Sequence, residues 1–169
     1  MKELSEEELK ALEEKLKQMS PEELKAFQKQ QCIFCQIVAG KVSSKKVYED
    51  NICIAILDIN PANPGHLLVL PKEHYPIMPI IPEEELKHIG KVVKYISRCL
   101  LKTMKADGTS IFIANGIAAG QRAQHFMIHI IPRKQNDGIN LEIPMKEIKK
   151  EQLAEIEKRI KEGIKSKKK

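Results

Sequence analysis

Tryptophan is missing from this sequence, and three tyrosines and four phenylalanines are all of its aromatic residues. No cluster of them accompanies the basic C-terminal end in the way that base-stacking platforms require. No run approaches the roughly 18 consecutive apolar residues of a membrane-spanning helix. The opening MKELSEEELK is acidic and has no apolar stretch, which excludes a signal peptide from the reading. With 8 Gly and 9 Pro, collagen and low-complexity disorder are excluded. Four cysteines are too few for a disulfide-dense scaffold; two of them, as C-x-x-C, fit a metal or redox site in a reducing compartment. The expectation is a cytoplasmic, soluble protein with no membrane partner. Its 169 residues suffice for one domain with a real core, plus appendages.

The formal net charge of +6 is unevenly spread. Residues 1–31 carry −2, residues 146–169 carry +5, and the segment between them +3. The chain finishes Lys165, Lys167, Lys168, Lys169, a tail that can meet nucleic acid electrostatically but is more simply a solvated terminus.

Pattern divides the chain into 1–31, a helical extension; 32–145, the domain that carries the chemistry; and 146–169, a basic helix with a lysine tail. In the first, Ser5 with Glu8 forms a capping box ahead of Leu9, Leu12, Leu16 and Met19. Ser20, Pro21 and Glu23 open a second helix with Leu24 and Phe27 on its apolar face. The spacing predicts a helical hairpin. In the last zone Leu153, Ile156, Ile160 and Ile164 make one helical stripe. The middle zone alternates β-branched runs with turns: 46–50, 52–58, 66–71, 110–115 and 125–132. A long helix opened by Pro82–Glu85, with stripe Leu86, Ile89, Val93, Ile96 and Leu100, lies between the third and fourth. This pattern predicts an α+β domain around an antiparallel sheet.

Three stretches carry chemistry. In 125–131, HFMIHII, side chains of a strand alternate faces, so His125, Met127 and His129 point one way while Phe126, Ile128 and Ile130 enter the core. Alone, these are as well read as two hydrogen-bonded surface histidines. Cys32-Ile33-Phe34-Cys35 supplies two thiols on a tight turn, either half of a tetrahedral zinc site or a redox dithiol. Without a second C-x-x-C, zinc needs histidines, and the chain has five: His66, His74, His88, His125 and His129. Cys53 and Cys99 read as small core residues, and His88 as a solvent-facing helix residue with no role. The third stretch is the strand-turn-strand unit ILDINPANPGHLLVLPKEH over 56–74.

Together, the C-I-F-C start, this unit and the G-Q-x-x-x-H-x-x-x-H end resemble the histidine triad (HIT) family of nucleotide hydrolases and transferases, in continuous order over about 32–133. The resemblance implies that Asp58 accepts hydrogen bonds from the ribose hydroxyls, and that Ile33, Phe34, Ile37, Val42, Ile56, Leu57 and Ile59 sandwich the base. It places Asn115 and Gln121 near the α-phosphate and lines the phosphate site with His66 and His129. In zinc-carrying members, Cys32, Cys35, His74 and His125 match the ligands of a structural Zn²⁺. A purine nucleotide such as AMP or GMP and a second copy of the chain are the implied partners.

One position departs from the family. Its motif is His-φ-His-φ-His-φ-φ, and the central histidine attacks the α-phosphorus; Met127 stands there. A thioether cannot be poised by protonation as imidazole can, so the covalent chemistry is expected to be lost or much weakened. Arg122 also stands where many relatives have a small hydroxyl residue. The alternatives are a working hydrolase of nucleoside phosphoramidates or dinucleoside polyphosphates, with His129 or a water replacing Met127, and a nucleic-acid-associated protein acting through its helical ends.

Overall fold

In the computed structural model, residues 5–140 and 142–166 are described. The side chains of Leu9 and Leu12 and the terminal Lys167, Lys168 and Lys169 lie outside the described residues. The chain forms two compact units, Met1–Asp137 and Gly138–Lys169.

The first unit opens with α1, Glu6–Gln18, and α2, Pro21–Gln31. Both begin at the expected capping boxes: Ser5 Oγ accepts from the Glu8 N–H and Ser20 Oγ from the Glu23 N–H, while each glutamate accepts the N–H of its serine. A short helix α3, Ile33–Val38, follows. Here the C-x-x-C segment departs from the turn the sequence suggested. Ile33, Phe34, Ile37 and Val38 fall at helical spacing, and burying Ile37 fixes the segment as a helical turn.

Strands β1 (Lys46–Glu49), β2 (Cys53–Leu57) and β3 (Leu67–Pro71) form an antiparallel meander. The long helix α4 spans Glu83–Thr103, and β4 (Gly108–Phe112) and β5 (Ile128–Arg133) complete a five-stranded sheet in the order β1-β2-β3-β5-β4. Between β2 and β3, Gly65 holds φ +87, and a Cβ there would stand 3.2 Å from Met104 and Pro132 side-chain carbons. Only glycine meets both demands.

Strand alternation sorts the core into two layers. Cys53, Ala55, Leu67, Val69, Phe126, Ile128 and Ile130 pack with Ile89, Val92, Val93, Ile96 and Leu100 of α4. Ile54, Ile56, Leu68 and Leu70 turn to the other face and pack with Ile37, Phe34, Val42 and Met127. Strand β5 starts three residues later than its apolar pattern. Pro71, opposite in β3, has no N–H to extend the ladder, and the Phe126 N–H is taken by the Tyr75 carbonyl at 2.6 Å. The second unit holds α5, Lys150–Ser166, with Leu153, Ile156, Ile160 and Ile164 all exposed.

Candidate functional site

The sheet face opposite α4 carries two clusters of titratable side chains. In the first, Cys32 caps the N-terminus of α3 and Cys35 follows one turn on, which puts both sulfurs on one side. His74, from the segment after β3, brings its Nδ1 to 3.2 Å from Cys35 Sγ. His125, just ahead of β5, brings its Nδ1 to 3.4 Å from Cys32 Sγ and 3.6 Å from Cys35 Sγ. One donor atom from each of the four residues lies within 4.8 Å of every other.

The donor set fits a metal. His125 Nε2–H donates to the Pro71 carbonyl at 3.1 Å, which leaves a lone pair on the Nδ1 that faces the sulfurs. Burial pushes the His125 imidazole down to about 4, although its bond to the Pro71 carbonyl opposes the shift. Burial and the neighbouring Cys32 push the Cys35 thiol well above its usual range. So enclosed, the two thiols would be held as thiolates beside two neutral imidazoles once a cation compensates their charge. The count is two Cys and two His, a closed tetrahedral set. Glu73, beside His74, is held by Lys25 and Lys29 of α2, which ties the N-terminal extension to this corner.

The second cluster is a chain of three side chains. The Ala62 N–H donates to His66 Nδ1 at 3.2 Å, with Asp58 Oδ2 3.5 Å from the same nitrogen. His66 Nε2 lies 3.0 Å from His129 Nδ1. Because His66 Nδ1 accepts, the neutral ring carries its hydrogen on Nε2 and donates to His129, whose own hydrogen is then on Nε2. Burial lowers both imidazoles, against the Asp58 charge, and so favours these neutral forms. The open nitrogen of His129 is a donor. Its ring stacks on Phe112, centroids 4.4 Å apart and 4° from parallel.

Among the residues expected to hold a base, the structure gathers Phe34, Ile37, Val42 and Ile56 into one apolar cluster with Met127. Ile33 is exposed and Ile59 is 91% exposed. Leu57, next to Ile56 along β2, turns to the opposite face and sits with Leu67, Tyr95 and Leu100 on the α4 side, so it does not belong with the expected base pocket. Asn115 Oδ1 accepts from the Met78 N–H, and the Asn115 amide nitrogen has no partner among the described residues. Gln121 is fully engaged. Its amide nitrogen donates to the Pro76 and Ala123 carbonyls, and its oxygen accepts from the Gly116 N–H. It therefore braces the loop ahead of His125. Arg122 is exposed.

Two features escaped the sequence. Phe112 reaches His129 only because β4 and β5 pair in the register Phe112↔His129, which no local pattern encodes. His88, assigned to solvent, is half-buried and bonds Asp50 Oδ2 at 2.6 Å.

A five-stranded antiparallel sheet with one long helix on one face, and histidines converging from two strands on the other, defines a histidine triad domain. The comparisons agree. The HIT domain family model matches residues 39–136. A HIT-like protein of Methanocaldococcus jannaschii is 44% identical over 130 residues, covering 77% of this chain and 98% of that protein. An adenylylsulfatase of Arabidopsis thaliana is 42% identical over 106 residues, 63% of this chain but 54% of that protein, so the chain spans about half of it. A solved zinc-bound histidine triad family protein from Mycobacterium smegmatis aligns with TM-score 0.64 at 34% identity, over 70% of this chain and 86% of that one. The chain belongs to the HIT family.

Proposed function

We propose that this protein holds a purine nucleoside monophosphate, such as AMP or GMP, without forming a covalent nucleotidyl intermediate. The observation that carries the reading is Met127. By the resemblance it stands where the family has its nucleophilic histidine, and its side chain packs against the buried cluster of Ile37, Ile54, Ile56, Leu68 and Leu70 as an apolar filler. In the same site His129 offers an N–H and no lone pair. Such a group donates to a phosphate oxygen and steadies charge there, but does not attack phosphorus. Phe34, Ile37, Val42 and Ile56 take the base, with Ile33 and Ile59 at the rim. Asp58 takes the ribose hydroxyls. The unpartnered Asn115 amide nitrogen adds a second donor for the phosphate, while Gln121 positions the loop. Cys32, Cys35, His74 and His125 hold a structural zinc, which supplies a rigid anchor for the strand leading into Met127 and leaves no open coordination position.

The likeness to an adenylylsulfatase favours a second reading, turnover of a nucleoside 5′-phosphate derivative with water as the attacking group. Calorimetric titration with AMP and GMP, beside a sensitive hydrolysis assay on adenosine phosphoramidate, separates the two. Binding without appreciable turnover is expected. Rapid hydrolysis by the unmutated protein would replace the first reading with the second.

A further inference from the structure

Residues 86–106 contain five lysines and one arginine and not a single Asp or Glu. All but the last few belong to α4, whose acidic residues Glu83, Glu84 and Glu85 are confined to its first turn. The helix buries Ile89, Val92, Val93, Ile96 and Leu100 against the sheet. At 100° per residue, Lys91, Lys94, Arg98 and Lys102 fall on the side opposite that core. All four are exposed, and none has an ion pair among the described residues. From Lys91 to Lys102 the ridge runs about 16 Å, at a rise of about 1.5 Å per residue. Each cation stands one turn from the next. Tyr95 lies among them, 60% exposed.

We infer that the outer face of α4 is a docking surface for single-stranded nucleic acid. Four cations held in line on a rigid helix have no anion to neutralise them among the described residues. A polyphosphate backbone, at about 3.4 Å per charge along a duplex strand and similar in density when single, offers the complementary row. A single strand rather than a duplex is the partner because its bases are free to stack on the exposed Tyr95 ring. A membrane surface is the poorer match. An interfacial helix needs an apolar face to insert, and the apolar face of α4 is already committed to the sheet. The ridge lies across the sheet from Met127 and His129, so the two surfaces are free to be occupied together.

The test is fluorescence anisotropy of the full chain with a labelled twelve-residue oligouridylate, between 50 and 200 mM salt. Four contacts at a slope of about −0.7 each give a combined slope near −3, or a loss of roughly fiftyfold over that range. Replacing Lys91, Lys94, Arg98 and Lys102 together by Gln, a good helix former at exposed positions, should abolish most of this dependence while circular dichroism and melting temperature hold. Tyr95→Ala should weaken binding about tenfold at fixed salt. Replacing Lys165, Lys167, Lys168 and Lys169 by Gln should leave the slope nearly intact. The inference is overturned if the α4 variant binds as the unmutated protein does, if the tail variant alone loses binding, or if the chain binds anionic phospholipid vesicles but not the oligonucleotide.

Discussion

At Met127 the proposed loss of covalent chemistry can be tested on one side chain. On the same sheet face His66 and His129 stand within hydrogen-bond distance of each other, and Met127 packs against the apolar cluster of Ile37, Ile54, Ile56, Leu68 and Leu70. Met127→His would return a basic nitrogen to this face. Incubation with a nucleoside phosphoramidate should then trap a nucleotidylated protein, visible by mass spectrometry as an added nucleoside monophosphate. Turnover by the unmutated protein that the substitution leaves unchanged would sink the lost-nucleophile account. Asp58 gives a second test at this scale. Its carboxylate contacts both the Asn60 N–H and His66, and Asp58→Ala should weaken nucleoside monophosphate binding by about 1.5–3 kcal/mol, the range for hydrogen bonds to a charged group. A dideoxy-ribose ligand should reproduce part of that loss in the unmutated protein.

Among the elements, the packing of α4 against the meander is fixed by a polar pin as well as by its apolar stripe. Asp50 Oδ1 accepts the N–H groups of Ile52 and Cys53, shaping the β1–β2 turn, while Oδ2 accepts from Tyr48 and bonds His88 on α4. Burial alone would raise this carboxyl. The hydrogen bonds from Cys53, His88, Tyr48 and Ile52 outweigh burial and hold it far below the usual carboxylate range. Asp50→Asn should therefore cost about 1–3 kcal/mol of stability at neutral pH, since it loses charge-assisted partners at a half-buried site. A depressed carboxyl stabilises the folded state fully above its unfolded value of 3.8, and that contribution falls away as pH drops below it toward the folded value. Denaturant titrations of the two proteins should thus diverge at pH 7 and converge in strong acid. His88 carried no signal for this role in the sequence because Asp50 is 38 residues away and meets it only when helix and sheet dock.

For the molecule as a whole, the Cys32–Cys35–His74–His125 corner joins α3, the segment after β3 and the entry to β5. Metal analysis of protein purified without added zinc should find about one equivalent per chain. Cys35→Ser should release it and lower the melting temperature, because binding free energy at such a site is folding free energy. A metal-free preparation in which Cys32 and Cys35 cycle as a disulfide would overturn this assignment.

Much of this architecture is local and was legible from the residues in order. Both capping boxes, the α4 stripe, the five strands and the alternation that sends Phe126, Ile128 and Ile130 to one side and Met127 to the other follow from periodicity and cap chemistry. The C-x-x-C spacing marked out a thiol pair, either for a metal or for redox chemistry. What the order of residues leaves undetermined is set by non-local pairing. The register Phe112↔His129 stacks an aromatic ring on the histidine, and Pro71 ends the ladder and turns its carbonyl to His125. The Ala62 N–H fixes, through His66, which nitrogen His129 presents. Hydrogen bonds between segments tens of residues apart form only after the sheet has closed, and tautomers are settled by those bonds. Sequence thus determined which side chains were available to this site, and tertiary structure decided which of their atoms face one another.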